Sequence, residues 1–128
     1  TPDTVLEANR YLLEQTAYDG IHPDECIINP PVYISPDATV RHSVIGPYVY
    51  LGPRCRIESS IVGPYVSMAE GATVEQAIVR DSIVNEEARI ASAMLARSLV
   101  GQYAVVRGSF ESLNVGDSSE IDSSIQGY

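Results

Sequence analysis

Ile45-Gly46-Pro47-Tyr48-Val49, Leu51-Gly52-Pro53-Arg54-Cys55 and Val62-Gly63-Pro64-Tyr65-Val66 repeat one arrangement: an aliphatic residue, glycine, proline, a variable residue, and another small or apolar one. Extending that block in both directions produces three aliphatic columns. They are Ile28, Ile45, Val62, Val79, Leu95; Ile34, Leu51, Met68, Val84, Val100; and Val40, Ile57, Val74, Ile90, Val106. Successive members of a column stand 17 or 16 residues apart, so each turn of the repeat has three sides of five or six residues. A short period sustained in this way is the signature of stacked coils, none of which buries its core alone.

The position four residues after each column member is an independent check of the register. It reads Val32, Val49, Val66, Ile83, Leu99 after the first column and Ala38, Cys55, Ala72, Ala88, Ala104 after the second. After the third it reads Val44, Ile61, Ile78, Met94, Phe110; all fifteen residues are apolar in a chain that is 45% hydrophobic. The expectation is that these columns also point inward, with the small second column filling a narrow prism. Stacked at about 4.8 Å, five full coils and a partial sixth ending near Ile121 and Ile125 give a parallel β-helix roughly 25–30 Å tall. Gly46, Gly52, Gly63 and Gly101 fall where corners need positive φ or close backbone approach, and Pro47, Pro53 and Pro64 sit beside them.

Ahead of the repeat lies a different pattern. Thr1 can cap a helix that starts at Pro2 with Asp3 in its first turn, and Val5, Ala8, Asn9, Leu12 and Leu13 recur at helical spacing to about Gln15. The organisation expected is a helical segment over 1–20, a connector over 21–27 rich in Pro and acidic residues, and the β-helix over 28–128.

Composition narrows the functions open to such a prism. The 128 residues carry a net charge of −9; all eight basic residues are arginine, and there is no lysine. Schiff-base and P-loop chemistry are thereby excluded within this chain, and the field repels nucleic acid and anionic membrane surfaces. No apolar run reaches the roughly 18 residues of a membrane span. Cys26 and Cys55 lie 29 residues apart without metal-ligand spacing, so a cytoplasmic setting is expected. The start at Thr1-Pro2-Asp3, without an initiator Met, reads as a piece of a longer protein.

Short, regular sides of this kind resemble the hexapeptide repeat, whose known folds are left-handed β-helices. The fold class expected is therefore all-β, a single-stranded left-handed parallel β-helix preceded by one short α-helix. A narrower resemblance is carried by Thr1-Pro2-Asp3-Thr4-Val5-Leu6-Glu7-Ala8-Asn9-Arg10-Tyr11-Leu12-Leu13, which looks like the helix closing the catalytic domain of sugar nucleotidyltransferases, where a Gly-Thr-Pro turn enters an Ala-Asn-Arg helix. Val62-Gly63-Pro64-Tyr65-Val66-Ser67, Arg80-Asp81-Ser82-Ile83-Val84 and the stretch from Leu113 to Ile121 are similar to the β-helical tail of glucose-1-phosphate thymidylyltransferase-like members.

That resemblance implies a parent enzyme that joins a nucleoside triphosphate to a sugar 1-phosphate with Mg²⁺ and releases pyrophosphate. The nucleotide loop and the two metal acids of the family lie outside this stretch, so the isolated chain is expected to be inactive, with no catalytic, cofactor or metal residue of its own. Its role is then oligomerisation or regulation, as a dimer or trimer working beside the N-terminal catalytic domain.

Several residues invite other readings. His42, between Arg41 and Ser43 at an outward corner, matches the general base of hexapeptide acyltransferases, which would make the parent a bifunctional enzyme using acetyl-coenzyme A. The same corner column continues with Ser59, Gln76 and Ser92, which supply no orienting partner, so a solvated histidine is the favoured reading. His22 falls in the connector, and two histidines are fewer than the three of a β-helical carbonic anhydrase zinc site. Cys55 reads as core filler and Cys26 is assigned no role. Tyr33, Tyr48, Tyr50 and Tyr65 form an outward aromatic ladder, the expected interface with another prism or with the catalytic domain.

Overall fold

A computed structural model describes residues 1–15, 23 and 25–123. Helix α1 (Pro2–Gln15) is capped as its sequence requires: the Thr4 amide donates to Thr1 Oγ1 at 3.2 Å and the Val5 amide to the Thr1 carbonyl at 3.1 Å. The first coil is β1 (Ile27–Ile28), β2 (Val32–Ile34) and β3 (Thr39–Arg41); the second is β4 (Val44–Ile45), β5 (Val49–Leu51) and β6 (Arg56–Glu58). The third is β7 (Ile61–Val62), β8 (Val66–Met68) and β9 (Thr73–Glu75), followed by β10 (Ile78–Arg80) and β11 (Ser82–Val84). Strand β12 (Arg89–Ala96) then turns a corner from the fourth coil into the fifth. After β13 (Leu99–Val100), β14 (Val105–Phe110) does the same into a sixth coil, closed by β15 (Asn114–Val115) and β16 (Glu120–Asp122). The sixth coil therefore runs round all three sides; Ile125 and His22 lie outside the described residues.

Every strand pairs in parallel with its counterpart one coil away, and the three aliphatic columns pair along their whole length, from Ile28↔Ile45 to Val79↔Leu95 on the first side. The second side runs β2-β5-β8-β11-β13-β15, and the third runs β3-β6-β9 into the first half of β12. The interior is a single apolar column from Val32 to Val115, with Ala38, Cys55, Ala72, Ala88 and Ala104 stacked in one buried file. The glycines answer two different needs. Gly46 and Gly63 adopt φ of 102° and 123°, whereas Gly52 has no positive φ but a Cβ there would lie 2.9 Å from the Met68 carbonyl oxygen.

Two of the expected inward columns are corrected by the corners. After β3, β6, β9 and at the bend of β12 the chain turns on a single left-handed residue: His42, Ser59, Gln76 and Ser92, with φ of 49–50°. A one-residue corner brings the next inward position one place earlier, to Ser43, Ser60, Ala77 and Ala93, all buried. Val44, Ile61, Ile78 and Met94 consequently face outward, and of that column only Phe110 packs on the core, opposite Leu95. From the fourth coil, Asp81 (φ 49°) and Arg97 (φ 51°) replace the Gly-Pro-Tyr corner with the same tight turn. That deletion puts Ser82 and Ser98 inside, pairs Ser82 with Val66, and moves Ile83 and Leu99 to the outer surface of the second side.

The inward serines make the tight corners tolerable. Ser43 Oγ donates to the Arg41 carbonyl at 2.7 Å and accepts the Ser60 amide at 3.1 Å; Ser60 Oγ donates to the Glu58 carbonyl at 2.8 Å and accepts the Ala77 amide at 3.1 Å. Ser82 and Ser98 repeat the pattern, bonding the Arg80 and Ala96 carbonyls at 2.8 and 2.9 Å. Each buried hydroxyl thus satisfies one corner carbonyl and one amide of the next coil, groups that burial would otherwise leave unpaired. The signal stands in the sequence as a small residue at 43, 60, 77 and 93, and sequence reasoning passed over it.

Candidate functional site

Helix α1 lies over the second side, against β8 and β11. Its buried face is Leu6, Asn9 and Leu13: Asn9 and Leu13 of the expected stripe are buried, whereas Val5 and Leu12 are exposed. The helix is held by polar contacts from the residues that carried the family resemblance. Ser67 Oγ donates to Asn9 Oδ1 at 2.5 Å, and the Arg10 guanidinium sits 4.3 Å above the Tyr65 ring while its Nη2 reaches Asp81 Oδ2 at 3.1 Å. Asp81, buried at its one-residue corner, also receives Arg97 Nη1 at 3.2 Å, and Arg97 Nη2 reaches back to Asp3 at 2.6 Å. Tyr65 donates its hydroxyl to Glu14 Oε2 at 2.9 Å, a bond that with the carboxylate charge holds the phenol above its ordinary pKa. One buried carboxylate between two arginines fastens the first turn and the middle of the helix to consecutive coils.

The four expected interface tyrosines form two stacked pairs. Tyr33 and Tyr50 lie 5.0 Å apart at 14° on the outer surface of β2 and β5; Tyr48 and Tyr65 lie 4.9 Å apart at 2° at the neighbouring corner. Of these, Tyr65 is engaged by Arg10 and Glu14 of the same chain.

His42 is exposed at its corner, its Nε2 3.6 Å from Glu25 Oε2 in the connector. That separation exceeds a hydrogen bond, so the pair does not fix the imidazole as a general base requires. Cys55 is fully buried; its thiol donates to the Ala69 carbonyl at 3.0 Å, and burial pushes its pKa up to about 11, the profile of an unreactive core thiol. Cys26 is half-buried beside the core. No group of three His, Cys, Asp or Glu able to hold a metal occurs among the described residues. Among the described residues no helix is long and apolar enough to cross a membrane.

The surfaces divide by side. The third side carries Arg41, Arg56, Glu58, Glu75, Arg89 and Arg107 outward. The first side carries the displaced apolar column, in register from Ile27 through Val44, Ile61 and Ile78 to Met94, with Ser109 next.

Three-sided coils of 15 to 17 residues with small inward corner residues define a hexapeptide-repeat β-helix domain, here with a helix docked along one side. Residues 11–90 match the family described as GlmU-like, C-terminal hexapeptide, and the chain belongs to that family. The matched stretch begins at Tyr11 inside α1 and ends at Ile90 on β12, so it takes in the last turn of the helix and the first four coils. Comparison with curated proteins returns no match.

Proposed function

We propose that this chain is the C-terminal β-helix domain of a sugar-1-phosphate nucleotidyltransferase and that the prism serves assembly or regulation rather than chemistry. In the parent reaction an oxygen of the sugar phosphate attacks the α-phosphorus of the nucleoside triphosphate. The bond to the β-phosphate oxygen breaks, pyrophosphate leaves, and a nucleoside diphosphate sugar remains; glucose 1-phosphate and a thymidylyl group are the expected pair. Mg²⁺ would be held by the catalytic domain, and a cytoplasmic setting suits these substrates. The observation that carries this reading is the family match, which starts within a helix that Asn9, Arg10 and Glu14 lock to the coils. A catalytic domain entering through that helix is held in one orientation to the prism. The test is pyrophosphate release from thymidine or uridine triphosphate with glucose 1-phosphate and Mg²⁺. The full-length protein is expected to turn over and the 128-residue chain to give none; a full-length protein that forms no nucleotide sugar refutes the assignment.

A second reading, an acyltransferase prism that uses acetyl-coenzyme A with His42 as base, is kept because the matched family is a hexapeptide one. Thiol release from acetyl-coenzyme A with an amino-sugar phosphate, abolished by His42→Ala, would establish it. The 3.6 Å gap to Glu25 argues for the first.

A further inference from the structure

Two cavities meet where the first side of the prism turns toward helix α1. One, of about 250 Å³, has an apolar floor of Ile78, Met94, Leu95 and Phe110; the other, of about 270 Å³, is lined by Arg10, Arg80 and Arg97. Arg80, Ala96 and Glu111 belong to both, so the two form one trough. Strand register accounts for its shape. Ile78 pairs with Met94 and Arg80 with Ala96, while Glu111 follows Phe110, the partner of Leu95 in the next coil. The methyl group of Ala96 therefore stands between two long side chains. With two rungs of about 4.8 Å between them, Arg80 and Glu111 form no ion pair.

The two ends of the trough differ in chemistry. Three of the chain's eight arginines converge on the second cavity, in a molecule of net charge −9. Arg10 and Arg97 meet the same oxygen of Asp81, at 3.1 and 3.2 Å, and Asp3 takes the second amino group of Arg97. Among the described residues Arg80 has no counter-ion. A guanidinium presents several N–H donors in a planar fork, and most of those gathered here are uncommitted, so the site calls for an acceptor-rich anion such as a phosphate group. The first cavity holds no ionisable group besides the shared Arg80 and Glu111; its Phe110 ring and Met94 thioether suit a flat apolar body. Glu111 stands at the seam, a carboxylate that repels phosphate and accepts a hydroxyl.

We infer that this trough binds a nucleoside 5′-phosphate, with the phosphate among Arg10, Arg80 and Arg97, a ribose hydroxyl donating to Glu111, and the base over Met94 and Phe110. The sequence of apolar floor, single carboxylate and guanidinium cluster is the sequence of base, ribose and phosphate. Ile78 and Arg80 are two residues apart on β10, about 6.6 Å by the rise of a strand, which is the reach of a ribose. A free inorganic anion would use one end of the trough and an uncharged nucleoside the other; the ester uses both. The inference goes beyond the proposed nucleotidyl transfer and does not depend on it, because the trough is built wholly from the helix and coils of this chain.

The test is calorimetric titration of the chain with adenosine 5′-monophosphate, adenosine and inorganic phosphate. The monophosphate is expected to bind with a Kd below about 1 mM, and adenosine and phosphate each about tenfold or more weakly, since each engages one end. Arg80→Gln removes a guanidinium that no other side chain uses and should weaken the monophosphate about tenfold at unchanged circular dichroism. Met94→Ser should weaken the monophosphate and leave inorganic phosphate as it was; Ser109 already provides serine at that place in the next coil, so the coils accept it. Arg107→Gln, on the third side, controls for the loss of one positive charge and should bind as the unaltered chain does. No binding up to about 10 mM, a monophosphate held no more tightly than phosphate or adenosine, or equal losses in Arg80→Gln and Arg107→Gln overturns the inference. Pyrophosphate release by the full-length protein is scored separately, so a failed nucleotidyltransferase assignment leaves the binding result standing, and the reverse.

Discussion

Cys55 stands in a file otherwise made of alanine, with Ala38, Ala72, Ala88 and Ala104 at the equivalent place in other coils. Cys55→Ala should therefore fold with a loss of about 1 kcal/mol or less in chemical denaturation. The pH dependence has a definite sign. Burial raises the folded thiol from 9.0 to about 11, so the folded state keeps a proton that the unfolded chain gives up. This contribution is fully present below the unfolded value, falls as the pH climbs, and is gone beyond the folded one. Stability measured from neutral pH to the folded thiol's pKa should fall less steeply in Cys55→Ala; an unchanged slope would refute the burial argument. Val66 is fully buried on the second side, and Val66→Asp places a charge without a partner in the prism, at a cost of roughly 3–5 kcal/mol in the same measurement. Tyr65→Asp, one residue away and outward, is expected to cost less, though it breaks the contacts with Arg10 and Glu14.

At the scale of the element, α1 is held on the coils by two buried leucines and one carboxylate. Asp81→Asn keeps a side chain that tolerates the left-handed corner but removes the charge between Arg10 and Arg97, and should weaken helix docking by about 2 kcal/mol. Hydrogen exchange reads this directly: amides of the helix lose protection while those of β7 to β9 keep theirs. Loss spread evenly over both would mean that Asp81 supports the coil and not the dock. Glu14→Gln should bring the pKa of Tyr65 down toward the ordinary phenol value in an ultraviolet titration. Helix existence and bounds were readable from Thr1, Pro2 and the periodic apolar residues. Its buried face was readable only in part: Asn9 and Leu13 are buried as the periodicity expects, but Leu6 takes the place of Val5 and Leu12 because the helix is turned by what it meets on β8 and β11.

At the scale of the whole molecule, a net charge of −9 opposes any contact between copies. Salt should therefore strengthen self-association: raising NaCl from about 0.05 to about 0.5 M shortens the screening length from more than about 10 Å toward about 4 Å. Sedimentation showing the opposite trend would point to ion pairs, such as those the third side could offer. Each side of the prism thus has a distinct fate: covered by the chain's own helix, left charged toward solvent, or left apolar.

What the sequence determined by itself was the repeat: a 17- or 16-residue spacing, three aliphatic columns, glycine and proline at corners, and an N-terminal helix followed from periodicity because every coil must bury the same positions. What only the tertiary structure decided was direction. Ile61, Ile78 and Met94 are as apolar as Val62, Val79 and Leu95 beside them, and composition cannot say which of two adjacent apolar residues points inward. The corner decides it. A single left-handed residue at His42, Ser59, Gln76 or Ser92 shifts the alternation by one place relative to a longer turn, and in a strand a shift of one place exchanges the inner face for the outer.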